Sequence, residues 1–139
     1  MQILIIRHGE PDYSIDSLTP KGWKEAELLS RRLTAMDIRD FYCSPLGRAK
    51  DTAKPTLEKL GREAEILPWL REFSGWVVSP FEERRRIPWN LMPQYWTKNP
   101  ALFDREAWLS DPFMSSGDVR GVYQATCDGF DQLLLRYGY

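Results

Sequence analysis

The chain of 139 residues holds one histidine, His8, and two cysteines, Cys43 and Cys127. Two thiols cannot build a disulfide framework, and no cluster with metal-ligand spacing is visible, which points to a reducing, cytoplasmic setting. Long hydrophobic runs are missing too. Ile3-Leu4-Ile5-Ile6 is far too short to span a membrane and is cut off by Arg7 and His8. No positively charged segment with a long apolar stretch precedes it, so a secretory signal is not expected. Charge of one sign is equally scarce. Nineteen Lys and Arg face 20 Asp and Glu, a net charge of -1, which gives no reason to expect a nucleic-acid or membrane partner. Repeats and low-complexity tracts are absent. What remains is ordinary for a soluble globular chain, 42% hydrophobic and 28% charged, long enough for one domain with a substantial core. The aromatic residues concentrate after Leu67.

Ile3–Ile6 is a continuous, β-branched-rich run, the pattern of a strand covered on both faces. A polar loop follows from Glu10 to Ser17. Thr19 then reads as an N-cap with Pro20 at the first helical position, and Leu18 and Trp23 take the places of a hydrophobic staple. Ala26, Leu29, Leu33 and Met36 give that helix an apolar face. Ile38–Cys43 reads as a second strand, closed by Ser44-Pro45 as another cap and proline. The next helix carries Ala49, Ala53, Thr56, Leu57 and Leu60 on one side, should bend or divide at Pro55, and stops at Gly61. Ala64–Leu67 reads as a third strand. This β-α-β-α-β order predicts right-handed crossovers and a three-layer α/β/α fold with a largely parallel sheet.

Val77 to Ser116 is different in kind. Pro80, Pro88, Pro93, Pro100 and Pro112, many aromatics and the run Glu82-Glu83-Arg84-Arg85-Arg86 suggest short helices and loops, not strands. The charge run alone suits a solvated helix face. Asp118 to Arg136 returns to helical order, with Val119, Val122, Thr126, Phe130 and Leu133 on one side and Cys127 as a small buried filler.

The chemistry-bearing residues gather at strand ends. Arg7-His8-Gly9 follows the first predicted strand, and open α/β sheets bind ligands beyond the carboxyl ends of their strands. Gly9 permits a close backbone approach, an imidazole can act as a nucleophile, and a guanidinium can grip phosphate oxygens in pairs. A hydrogen-bonded loop histidine beside a surface arginine is the alternative for the tripeptide alone. Ser44-Pro45-Leu46-Gly47-Arg48-Ala49 opens the second helix, whose free N–H groups favour anions, and Arg48 adds a full charge one turn in. Parallel strands ending on one side would bring Arg48 towards Arg7 and His8.

Arg7-His8-Gly9-Glu10, Leu18-Thr19-Pro20-Lys21-Gly22 and the segment Cys43 to Ala53 together resemble the histidine phosphatase superfamily, the phosphoglycerate-mutase-like enzymes. The resemblance is good over roughly residues 1–76 and loose beyond them. It implies that His8 is the nucleophile and accepts the phosphoryl group, while Arg7 and Arg48 hold the equatorial oxygens. Leu70-Arg71-Glu72-Phe73 with Gly75-Trp76 is similar to the family's acidic motif, which makes Glu72 the acid and base; a surface ion pair is its alternative. Gly9 and Glu10 join the phosphate-binding set, Glu10 either contacting substrate or merely shaping the loop. Trp76 to Trp108 takes the place of a substrate lid, so that residues 1–76 form core motifs, 77–116 the lid and 117–139 a core helix of one domain.

The family also has a second histidine on a late strand, and this sequence has none. Two expectations follow: a chain truncated before its C-terminal strands or, less simply, a degenerate member. An unfilled sheet edge would favour a homodimer. The activity implied is hydrolysis of a phosphomonoester of a small organic molecule, with the phosphorylated substrate or inorganic phosphate as partner and no metal or cofactor. Mutase-type transfer and a catalytically silent phosphate-binding protein are the rivals.

Overall fold

The computed structural model describes residues 2–79 and 84–139, so Pro80 and the Glu82-Glu83 part of the charge run lie outside the described residues. Contacts divide the chain into two compact units, Met1–Arg71 and Glu72–Tyr139.

The first unit is mixed α/β. A short antiparallel pair, β1 (Pro11–Asp12) and β2 (Ser17–Leu18), precedes α1 (Pro20–Leu33). Then come β3 (Tyr42–Cys43), α2 (Gly47–Leu60) and β4 (Glu65–Ile66), with β3 and β4 pairing in parallel across the helix. The ladder is prolonged by the Glu65 and Leu67 amides, which donate to the Phe41 and Cys43 carbonyls at 2.9 and 3.0 Å. The expected strand–helix–strand crossover over residues 38–67 is therefore present, though its strands are short.

The continuous, largely parallel sheet is not found among the described residues. Their strands form three separate two-residue pairs. The expected strand Ile3–Ile6 has no ladder at all, and Ile5 is 89% exposed. The reason is that a strand exists only through its neighbours' N–H and C=O groups. Apolar β-branched composition prepares a segment for a covered sheet position but cannot supply the partner.

Helix α1 begins as its sequence predicts. Thr19 is the cap, its Oγ1 accepting the Gly22 amide at 3.1 Å. It stops at Leu33, three residues before the predicted Met36. There the Ala35 and Met36 amides turn back to the Arg32 and Leu33 carbonyls, tightening the last turn and leaving Met36 exposed. The buried face of α1 is Gly22, Ala26, Ser30 and Leu33, mostly small residues that admit α2 closely. Lys59 of α2 crosses to Glu27 Oε1 at 2.6 Å and Ser30 Oγ at 2.7 Å.

Helix α2 ends at Gly61 in the left-handed region (φ +60°), as expected, and runs through Pro55 without dividing. Its start and its buried face depart from expectation. Leu46 occupies the cap position without a side-chain bond, while the Ser44 hydroxyl accepts the Leu46 amide at 3.3 Å. Of the predicted face Thr56 is buried, Ala49, Ala53, Leu57 and Leu60 are only half-buried, and Arg48 and Thr52 complete the buried set. Ala53 and Leu57 instead line an open groove of about 450 Å³ with Cys43 and Ile66. Arg48 and Thr52 turn inward onto carboxylate and backbone partners, described below. Burial also pushes the Cys43 thiol upward, away from a reactive thiolate.

The second unit consists of proline-opened turns around an aromatic-rich core. β5 (Val77–Val78) pairs antiparallel with β6 (Arg85–Arg86), a hairpin that the sequence reading did not foresee. Pro88, Pro93 and Pro100 each open a short helical element, among them α3 (Pro93–Thr97), using a residue whose missing N–H is no loss there. Helix α4 (Val119–Leu135) follows. Val77, Met114 and Val119 form the buried centre, with Phe73, Trp96, Leu102, Trp108, Leu109 and Phe113 packed on it. Asp118 ties the unit together, its Oδ1 accepting the Trp76 amide at 2.7 Å and its own amide donating to the Trp76 carbonyl at 3.2 Å. Of the face predicted for α4, Val119 alone is fully buried, and Phe130 is exposed. No helix of the described residues is long and apolar enough to cross a membrane.

Candidate active site

The His8 loop is held by side chains, not by a strand end. His8 is half-buried, and its Nδ1 lies 2.8 Å from the Gly9 carbonyl oxygen. A carbonyl only accepts, so Nδ1 is the donor in this contact and Nε2 is the ring nitrogen that it leaves unengaged. The Gly9 amide donates to Thr52 Oγ1 at 3.0 Å, and the Thr52 hydroxyl donates to the Arg48 carbonyl at 2.7 Å. The nucleophile candidate is thus fastened to α2 one turn beyond Arg48.

Glu10 completes the loop's attachment. Its amide donates to Glu25 Oε2 at 2.8 Å, and its carbonyl accepts the Thr19 amide at 3.0 Å. Its carboxylate accepts from Lys21 Nζ at 2.7 Å and from the Thr19 hydroxyl at 2.8 Å. The Lys21 bond above all, then the Thr19 bond, holds the Glu10 carboxyl below its usual range, and the same pairing raises Lys21. Both oxygens are engaged, which suits a loop-shaping carboxylate. The loop approaches α1 so closely that a Cβ on residue 22 would stand 2.2 Å from the Glu10 carbonyl oxygen. Gly22 is the residue that admits it.

Arg48 is 7% exposed and its Nη1 donates to Asp16 Oδ1 at 2.7 Å. The other Asp16 oxygen accepts the Gly47 amide at 2.7 Å. These contacts, the Gly47 amide foremost, lower the Asp16 carboxyl. The helix N-terminus that sequence reasoning assigned to an incoming anion therefore already faces a carboxylate of this chain. The Tyr13 ring centre lies 5.3 Å from the Arg48 guanidinium.

The expected residues are placed unevenly. His8, Gly9, Glu10 and Arg48 all belong to one hydrogen-bonded neighbourhood of the first unit. Arg7 is exposed beside it in sequence, and Glu72 is an exposed residue at the start of the second unit. Three contributors escaped the sequence reading: Asp16, Thr52 and Glu25. Thr52 falls inside the second motif, so its recurrence was visible while its task was not. Asp16 left one trace, being of a residue type that tolerates positive φ in a polar loop. No metal-holding group of three or more His, Cys, Asp or Glu occurs among the described residues.

Comparison with known proteins gives the site its context. The chain is 34% identical over 70 residues to a 2,3-bisphosphoglycerate-dependent phosphoglycerate mutase of Thermoplasma acidophilum, covering 43% of this chain and 35% of the relative. It is 32% identical over 89 residues to the adenosylcobalamin/alpha-ribazole phosphatase of Escherichia coli K12, covering 56% and 44%. A mycobacterial glucosyl-3-phosphoglycerate phosphatase of known structure has the same fold, with a TM-score of 0.53 and 22% identity over 94% of this chain and 62% of that one. The chain thus spans less than half the length of these two curated relatives. The sequence model of the histidine phosphatase superfamily (branch 1) matches residues 3–107, well over half of the chain, and to that family the chain belongs.

Proposed function

We propose that the chain carries a phosphohistidine-forming phosphatase site for a phosphomonoester of a small organic molecule. One observation carries the reading: His8 turns Nδ1 to a carbonyl acceptor, which leaves Nε2 as the ring nitrogen outside that bond, on a loop bonded to α2 one turn from Arg48. Nε2 attacks phosphorus as the ester oxygen departs, and Glu72 delivers the proton to that oxygen. Arg7 and Arg48 take up the charge spread over the equatorial oxygens, and Gly9 lets the backbone stand close to them. Water then hydrolyses the phosphohistidine, with Glu72 accepting its proton. Glu10 serves the shape of the loop. The proton-donor role of Glu72 and the lid role of the segment from Trp76 to Trp108 rest on the family resemblance, as does the three-layer arrangement of the whole protein.

The test is hydrolysis of p-nitrophenyl phosphate at mildly acidic pH by the wild-type chain and His8→Ala. The expected outcome is turnover in the first and none in the second, with acid-labile phosphate trapped on the wild type only. A well-folded wild type without turnover, or an equally active His8→Ala, sinks the reading for this chain. The name of the Thermoplasma relative supports a second reading, transfer instead of hydrolysis. Supplying a phosphoglycerate separates the two: hydrolysis releases inorganic phosphate, and transfer returns an isomeric phosphoglycerate.

A further inference from the structure

The feature that the mechanism leaves unused is Asp16. Among the described residues it is the one non-glycine residue with positive φ, at +48°. Aspartate and asparagine enter that region more readily than other side chains, and a residue kept there needs surroundings that hold it. Here they are explicit. The turn carrying Asp16 is closed beneath by the pairing of Pro11–Asp12 with Ser17–Leu18. Asp12 Oδ1 accepts both the amide and the hydroxyl of Ser14, and the Ser17 hydroxyl donates to Asp51 Oδ2 on α2. The Asp16 carbonyl also presses on the start of α2, where a Cβ on residue 47 would stand 2.1 Å from its oxygen. Gly47 is what allows the contact.

The positive φ aims the carboxylate at the helix start. One oxygen takes the Gly47 amide and the other takes Arg48 Nη1. The same helix, one turn on, takes the Gly9 amide through Thr52. The two loop segments either side of Pro11 are therefore fastened to successive turns of one buried helix face, Arg48–Thr52.

We propose that Asp16 is a positioning residue, which holds the Arg48 guanidinium in the setting where it meets a phosphoryl group brought to His8. The proposal rests on the reading of His8 and Arg48 as a phosphate site. It has a rival of opposite sign: a carboxylate in this place could be an internal anion that competes with the incoming phosphate. Burial decides between them. Arg48 is almost inaccessible, and a guanidinium packed in this way keeps its setting through the groups bonded to it, so removing the Asp16 carboxylate shifts it instead of leaving it open in place. The approach of Asp16 is also written into backbone features, the φ of residue 16 and the glycine at 47, not into a side chain free to swing aside.

The experiment uses the full chain as wild type, Asp16→Asn and Asp16→Gly. Asn retains an acceptor for the Gly47 amide without the charge, and Gly removes the carboxylate while suiting the positive φ. Two quantities are read. The first is the NMR signal of the Arg48 Nε–H group, assigned by its disappearance in Arg48→Lys. The second is the affinity for inorganic phosphate by calorimetry, with kcat and KM for p-nitrophenyl phosphate. Both Asp16 variants are expected to shift and broaden the arginine signal and to weaken phosphate binding about tenfold, the scale of one charge-assisted hydrogen bond. KM should rise by more than kcat falls. A folded variant with an unmoved arginine signal overturns the proposal, and so does phosphate binding that is unchanged or tighter. If the wild type binds no phosphate, or if Arg48→Lys binds it equally well, the phosphate-site reading is what fails. The arginine signal then decides by itself whether Asp16 holds Arg48.

Discussion

At the scale of single residues, the site is a set of polar side chains whose partners come from distant parts of the chain. His8, Gly9 and Arg48 were legible because their types and motif positions name a chemistry. Asp16 and Thr52 were not, because their importance lies in what they reach: Thr52 meets an amide 43 residues away, and Asp16 an amide 31 residues away. Glu10 shows the same limit from the other side. Its neighbourhood to His8 left a ligand contact and a loop-shaping role both open, and in the structure its two oxygens accept from Lys21 and Thr19. That pairing has a pH signature. The folded-state carboxyl of Glu10 is lowered, so the stability it contributes is fully present above the unfolded value of about 4.3 and is lost as pH falls through the folded value. Glu10→Gln should therefore lower stability near neutrality, where the pairing is intact, and flatten the acid side of the profile, so that variant and wild type converge at low pH. Urea denaturation from pH 3 to 7 measures this, and an unchanged acid slope would show that the pairing contributes nothing in solution.

Elements were readable wherever the signal is local. Thr19-Pro20 marks the start of α1 and Gly61 the end of α2, since capping and left-handed backbone depend on a few adjacent residues. Burial was harder to read. On α2 the apolar residues line an open groove and the polar ones turn inward, because what an inward face must satisfy is set by the loops packed on it. Strands were hardest, as the exposed Ile3–Ile6 segment shows. The Thr19 cap links both levels. Its hydroxyl accepts the Gly22 amide and donates to Glu10, so it starts a helix and anchors the His8 loop at once. Thr19→Ala should lower stability by about 1 kcal/mol, the usual cost of losing such a cap. It should also reduce activity by more than a matched destabilisation elsewhere on α1, such as an exposed-face Leu28→Gly. Equal activity loss in two variants of equal melting temperature would mean that the cap serves the helix alone.

At the scale of the whole molecule, the feature that most affects behaviour in solution is the segment preceding the site. Ile3, Leu4, Ile5 and Ile6 are exposed together, between 43% and 89%, and no ladder covers their backbone. An apolar, β-branched segment with open N–H and C=O groups is a template for strand addition. Here it runs directly into Arg7 and His8, so whatever orders it also orders the approach to the His8 loop. Antiparallel pairing of two copies would set Ile3 against Ile6 and Leu4 against Ile5, with Gln2 opposite Arg7 and no like charges in contact. The chain should therefore associate as its concentration rises. Ile5→Lys places a charge in the middle of the segment at the position most open to water, where it costs the folded unit little and opposes pairing. Light scattering across a concentration series, read beside circular dichroism to show that the fold is kept, should find the wild type growing in mass and Ile5→Lys staying smaller. Identical mass curves for the two would place the contact elsewhere on the surface and leave the exposure of these four residues without consequence for assembly.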